Sequence, residues 1–196
     1  MKHPDAKSEK YFNVSRAILE MLEQEGVAAL SHTAISRKAK VSRAWIYEYM
    51  GRDRQHLLDI ASETFGSYFT KTNISVEILT PADLLKLLRV GHEMTFAKME
   101  AEPILIKLYF RFKGTKTPMG ATIKKYEKHW LDYMSEIFMR VLKYDEAEAS
   151  NICQIIQTLR LGFCHRIVTS AHPIKEKEEA LKSLELIHQR ITGLGL

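Results

Sequence analysis

Residues 31–50 read SHTAISRKAKVSRAWIYEYM, and the organisation of the whole chain follows from this stretch. Ser31 and Ser42 each precede a short run at helical spacing. A serine hydroxyl there accepts one of the N–H groups that the first turn of a helix leaves without a partner. The spacing predicts one helix from Ser31 through Lys38 and a second from Ser42 to Met50. Ile35, Ala39, Val41 and Ile46 supply a small apolar core between them, and Ser36 keeps the closest inter-helix position small. Two short helices, a tight turn and a shared core make a helix-turn-helix. In that arrangement the second helix enters a major groove about 12 Å wide and presents side chains from its N-terminal half. Its solvent-facing candidates are Arg43, Ala44, Trp45 and Glu48. Arg43 reaches guanine or phosphate. An exposed tryptophan is costly, so Trp45 suggests contact with thymine methyls or sugar edges. Tyr47 and Tyr49 can offer hydroxyls to phosphates.

Charge supports this reading. Residues 1–56 hold ten Lys/Arg against seven Asp/Glu, a net +3, whereas the remaining 140 residues net only +2. Between Arg37 and Arg54, six basic residues stand against Glu48 and Asp53, a concentration suited to facing phosphate. Such a patch is more often a plain solvated surface. The coincidence of apolar plug, cap, basic flanks and tyrosines within twenty residues tips the balance.

Outward from this segment the chain reads as helix after helix, with almost no strand signal. Val14, Ala17, Ile18, Met21 and Leu22 repeat at helical spacing upstream, and Gly26 stands where a C-cap glycine would end that helix. Leu57 to about Thr72 reads as a longer fourth helix, continuous in both directions and leaving no linker. Thr80-Pro81-Ala82-Asp83 is a start signal for a helix to about Ala101: a cap, proline at the first helical position, and an acid in the first turn. Ile104–Lys113 is short and apolar. Thr117-Pro118 opens a helix to Leu142, Asp145 caps one from Glu146 to about Ala171, and the last spans roughly Ile174–Ile191. The expected fold class is all-α: a three-helix DNA-binding domain over residues 1–56, and a larger helical domain over 57–196.

Residues 14–61 resemble the DNA-binding domain of the TetR (tetracycline-repressor-like) regulators. The likeness lies in Ile18-Leu19 and Gly26, in Ile35-Ser36 through Ala39, in Val41-Ser42 through Trp45-Ile46-Tyr47, in Tyr49-Met50 and in Leu57-Leu58. It covers about a quarter of the chain by motif, and beyond that only length and helix count. The resemblance implies a homodimer on double-stranded DNA with a palindromic operator, usually a repressor, released by a small-molecule effector, and it makes residues 57–196 the helical ligand-binding and dimerisation domain. It makes Ser31, Thr33, Lys40, Ser42, Arg43, Trp45, Tyr47, Tyr49 and Arg54 the DNA-binding candidates. Three departures stand out. Lys40 replaces a turn glycine that usually takes a left-handed conformation; a lysine there costs about 1 kcal/mol, which points to a turn built differently. Met50 replaces phenylalanine. The loop from Gly51 to His56 looks one residue longer than usual, so either Arg54 or Arg52 takes the place of the family's lysine at the start of the fourth helix.

The remainder carries no catalytic signature: no P-loop, no dinucleotide fingerprint, no HExxH and no GxSxG. No enzymatic activity, cofactor or metal is expected. His165 and His172 lie on roughly one helical face and with Cys164 could make a metal site, but a structural or interface role is the better reading. Cys153 and Cys164, eleven residues apart on one helix, stand about 16 Å from each other and cannot bridge within it. Two cysteines, no apolar segment after Met1-Lys-His-Pro-Asp and no membrane-length apolar run point to a cytoplasmic protein. Apolar stripes at Ile152, Ile155, Ile156, Leu159 and Phe163, and at Leu181, Leu184, Ile187, His188 and Ile191, fit a homodimer interface through residues 146–191 or an intramolecular core. Met94, Tyr109, Phe112, Trp130, Met134 and Phe163 are the candidates to line an effector cavity. Two alternatives stay open: a constitutive helix-turn-helix protein without a ligand, and a helical small-molecule-binding protein.

Overall fold

A computed structural model describes residues 6–70 and 77–193. The expected end of the fourth helix at Thr72, the five residues at the N-terminus and the last three lie outside the described residues. Among the described residues the chain is helical throughout: α1 (Ala6–Gln24), a 3-10 turn (Val27–Ala29), α2 (His32–Ala39), α3 (Arg43–Tyr49), α4 (Arg54–Thr70), α5 (Pro81–Ala101), α6 (Ile104–Phe112), α7 (Pro118–Leu142), α8 (Glu146–Thr169) and α9 (Pro173–Thr192).

The helix starts are set by side-chain caps. Ser31 Oγ accepts from Ala34 N–H and Ser42 Oγ from Trp45 N–H, each at 3.2 Å. Thr80 and Asp83 form a reciprocal capping box, with the proline at the first turn, as the start signal requires. Thr117 Oγ1 accepts from Gly120 N–H at 3.1 Å, and Asp145 from Glu148 N–H at 2.8 Å. One start differs. The fourth helix begins at Arg54 rather than Leu57, because Asp53 Oδ1 accepts the His56 N–H at 2.7 Å and so caps three residues earlier. Gly26 closes α1 as expected, its N–H returning to Met21 O at 3.1 Å, and at φ 80°, ψ 179° it also opens the 3-10 turn in a region only glycine occupies readily.

The turn between α2 and α3 corrects a sequence expectation. Lys40 adopts the left-handed conformation after all, at φ 55° and ψ 36°. Its N–H and that of Val41 both return to Ser36 O, closing α2, so the turn keeps the geometry the glycine would have given it. The strain is carried by the lysine rather than relieved by a different loop.

The chain divides into two compact units. The first runs to Thr70 and adds Lys107–Tyr126; it therefore takes in more chain than the helix-turn-helix segment alone. Its core buries Val14, Ile18, Leu19, Ile35, Ile46, Met50, Leu57 and Phe65. Phe12 stacks on Phe65, with ring centroids 5.0 Å apart. Gly66 permits the approach of α7 to α4, since a Cβ there would stand 2.2 Å from the Tyr126 ring. The Glu63 carboxylate receives Lys125 Nζ and the Tyr126 hydroxyl beside that contact.

The second unit holds α5, the rest of α7, α8 and α9. Its central cluster joins Leu84, Leu87 and Leu88 of α5 to Met134, Ile137 and Phe138 of α7 and to Ala149, Cys153 and Ile156 of α8. The apolar stripes of α8 and α9 split by depth. Ile156, Leu184 and His188 are buried, whereas Ile155 is 55% exposed. Leu186 of α9, off the expected stripe, is also exposed. Both cysteines are free and fully buried, and burial pushes their thiols up to about 11 for Cys153 and about 12 for Cys164.

Candidate nucleic-acid interface

The Ser42 cap and buried Ile46 fix how α3 is presented. At 100° per residue, burying Ile46 turns Ala44 and Glu48 outward, and both are exposed. Trp45 and Tyr49 then occupy one flank of that ridge, and Arg43 and Tyr47 the other.

Arg43 is exposed, and its Nη1 donates to Thr33 Oγ1 at 3.3 Å, so α2 steadies the guanidinium. Tyr47 is half-buried between two neighbours. The His32 ring lies 4.6 Å from it, and the Arg52 guanidinium sits 5.0 Å over its face. His32 is itself placed by a 3.3 Å contact from Nε2 to Gly51 O. Arg54 is exposed as the first residue of α4, while Arg52 is committed to the Tyr47 ring. Lys40 and Arg37 are exposed; Lys38 pairs with Glu20 at 3.1 Å.

The other flank departs from expectation. Trp45 is half-buried: Tyr11 of α1 meets it edge-on at 5.2 Å, and Tyr49 lies against it at 5.0 Å. The Tyr11 hydroxyl donates to the Tyr49 carbonyl at 2.6 Å. Lys10 Nζ stands 5.9 Å from the Trp45 ring and Lys7 Nζ 4.4 Å from the Tyr49 ring. A hydrogen bond to Glu48 pushes the Tyr49 hydroxyl up from its ordinary pKa. Tyr11, Lys7 and Lys10 were not singled out in the sequence; their i, i+3, i+4 spacing on a helix was the available signal.

The six effector candidates fall in both units. Tyr109 and Phe112 belong to the first unit, and Met94, Trp130, Met134 and Phe163 to the second. Met134 is packed in the central cluster with Trp130 against it, and Arg160 covers the Trp130 ring at 4.3 Å. The Arg166 guanidinium lies 5.7 Å from Phe163, and Lys113 Nζ donates to the Tyr109 hydroxyl at 2.6 Å. A cavity of about 380 Å³ opens between α5 and α9, lined by Leu85, Arg89, His92, Leu181, Lys182 and His188 among others. Cys164 is buried while His165 and His172 are exposed, and no metal-binding cluster of three or more such side chains occurs among the described residues. No described helix is long and apolar enough to cross a membrane.

Neither a family model nor a curated protein matches the sequence. Solved structures do. A protein described as a TetR-family transcriptional regulator from Syntrophomonas wolfei aligns with a TM-score of 0.65 at 18% identity, over 94% of this chain and 95% of its own. A TetR transcriptional regulator from Legionella pneumophila aligns at 0.64 and 12% identity, over 97% and 98% of the two chains. The chain has the TetR-regulator fold. NalD from Pseudomonas aeruginosa, the secondary repressor of the MexAB-OprM multidrug efflux pump, aligns at 0.56 and 16% identity over 92% and 96%. In TetR terms the agreement extends through both units, well beyond the quarter of the chain that carries the motif.

Proposed function

We propose that the protein is a DNA-binding transcriptional regulator of the TetR type, acting as a homodimer on a palindromic operator and released by a small apolar effector. The observation that carries this reading is the presentation of α3. A serine-capped helix of seven residues stands proud of a fixed core with Ala44 and Glu48 outermost and Arg43 held beside them by Thr33. Arg43 and Trp45 read bases. Ser31, Thr33, Lys40, Ser42, Tyr47, Tyr49 and Arg54 meet the backbone, the last from a helix N-terminus that favours phosphate. The exposed Ile155 and Leu186 support pairing of two chains through residues 146–191. Repression is the role stated for NalD, which shares the fold. The effector shifts the spacing of two recognition helices away from about 34 Å and so lowers operator affinity. Met94, Tyr109, Phe112, Trp130, Met134 and Phe163 remain the candidates to line its site. The dimer operates in the cytoplasm and performs no catalysis.

The test is a salt-series titration on random duplexes, with sequencing of the bound fraction. An enriched palindrome is the expected result. Weak, unselective binding that vanishes at moderate salt would overturn the regulator reading.

A further inference from the structure

A recognition helix about 10–12 Å across fills the major groove, so its two flanks face the two phosphate strands that wall the groove. The Tyr47 flank of α3 has its cation in Arg52, laid on the tyrosine ring. The opposite flank, Trp45 and Tyr49, carries no cation of its own. It receives two from α1: Lys10 over Trp45 and Lys7 over Tyr49. Both lysines are exposed, and the rings beneath hold their ammonium groups beside α3.

We infer that the first turns of α1 complete the DNA interface, with Lys7 and Lys10 contacting the phosphate strand on the Trp45–Tyr49 side and Tyr11 acting as the positioning residue that seats this flank. The inference rests on the regulator reading above. Tyr11 does two separable things. Its ring closes over Trp45 at 5.2 Å, and its hydroxyl bonds the Tyr49 carbonyl at 2.6 Å, near the end of α3, where the helix has carbonyls without partners. The first fixes the tryptophan that faces the groove edge. The second fixes how far α3 projects from α1. Lys7, Lys10 and Tyr11 lie on one α1 face, so a single helix supplies both the charge and the clamp.

The experiment uses the full chain and the duplex that it selects, with a random duplex of equal length beside it. In Lys7→Gln/Lys10→Gln the slope of log K against log salt should fall by about 1.8, since each lost phosphate contact removes about 0.9, and both duplexes should lose affinity alike. Tyr11→Phe keeps the ring on Trp45 and loses the bond to Tyr49. It should weaken the selected duplex at least several-fold relative to the random one with the salt slope unchanged. Trp45 fluorescence in a Trp130→Phe background reports the seat directly, and Tyr11→Ala should shift it to the red while Tyr11→Phe does not. A parent that binds DNA but whose slope is unchanged in the double lysine variant overturns this inference alone. A parent that binds no duplex overturns the regulator reading and this inference with it.

Discussion

His92 of α5 and His188 of α9 place their Nε2 atoms 3.2 Å apart in the interior of the second unit, with ring planes within 8° of each other. One imidazole donates and the other accepts, an arrangement that is lost when both rings are protonated. Burial, then the nearby Arg160 and the partner ring, hold His92 well below the usual histidine range; burial alone takes His188 to about 4.

The pair makes stability depend on pH in a stated direction. A histidine with a depressed folded pKa leaves the native state short of protons that the unfolded chain binds, so stability falls as pH drops below about 6.5. The loss continues to about pH 4 for His188, where it reaches about 3 kcal/mol. Urea unfolding at pH 7.5, 6 and 5 should show the decline, and His188→Gln should flatten it. Equal pH slopes in parent and variant would sink the assignment.

Lys40 offers the opposite case, a residue whose replacement stabilises. At φ 55° it bears the left-handed penalty, and Lys40→Gly should raise stability by up to about 1 kcal/mol in urea unfolding. The same variant should lower the salt slope of DNA binding if the ammonium meets a phosphate. A loss of stability would mean that the lysine side chain contributes packing or charge that the turn geometry does not show.

Gly66→Ala should destabilise by about 1–3 kcal/mol, because its Cβ would stand 2.2 Å from Tyr126 Cε2 and 3.0 Å from Thr122 Cγ2. Tyr126→Ala in the same chain should relieve most of that clash, and a double-mutant cycle reads the coupling. Independent effects would show that α7 moves away freely.

Arg43 and Arg54 should separate on DNA. Arg43→Ala is expected to lose about 1–3 kcal/mol of discrimination between selected and random duplexes, and Arg54→Ala to weaken both alike. Gel-shift titration on the two duplexes decides; equal losses from Arg43→Ala would remove its base-reading role.

What the sequence determined by itself is local. Helix starts at Thr80, Thr117 and Asp145 were legible because a cap and the N–H it satisfies lie within three residues. The helix-turn-helix was legible for the same reason, since Ser31, Ser42 and the four core residues fall within sixteen positions of one another. What only the tertiary structure decided is how distant segments meet. Trp45 reads as exposed until Tyr11, thirty-four residues upstream, is laid against it. His188 reads as one member of an apolar stripe until His92 arrives from ninety-six residues away. Met94, Tyr109, Phe112, Trp130, Met134 and Phe163 stand out by residue type alone, and residue type carries no direction. Side-chain periodicity fixes which face of a helix is apolar; which neighbour covers that face depends on the packing of other helices, and that is a property of the folded chain.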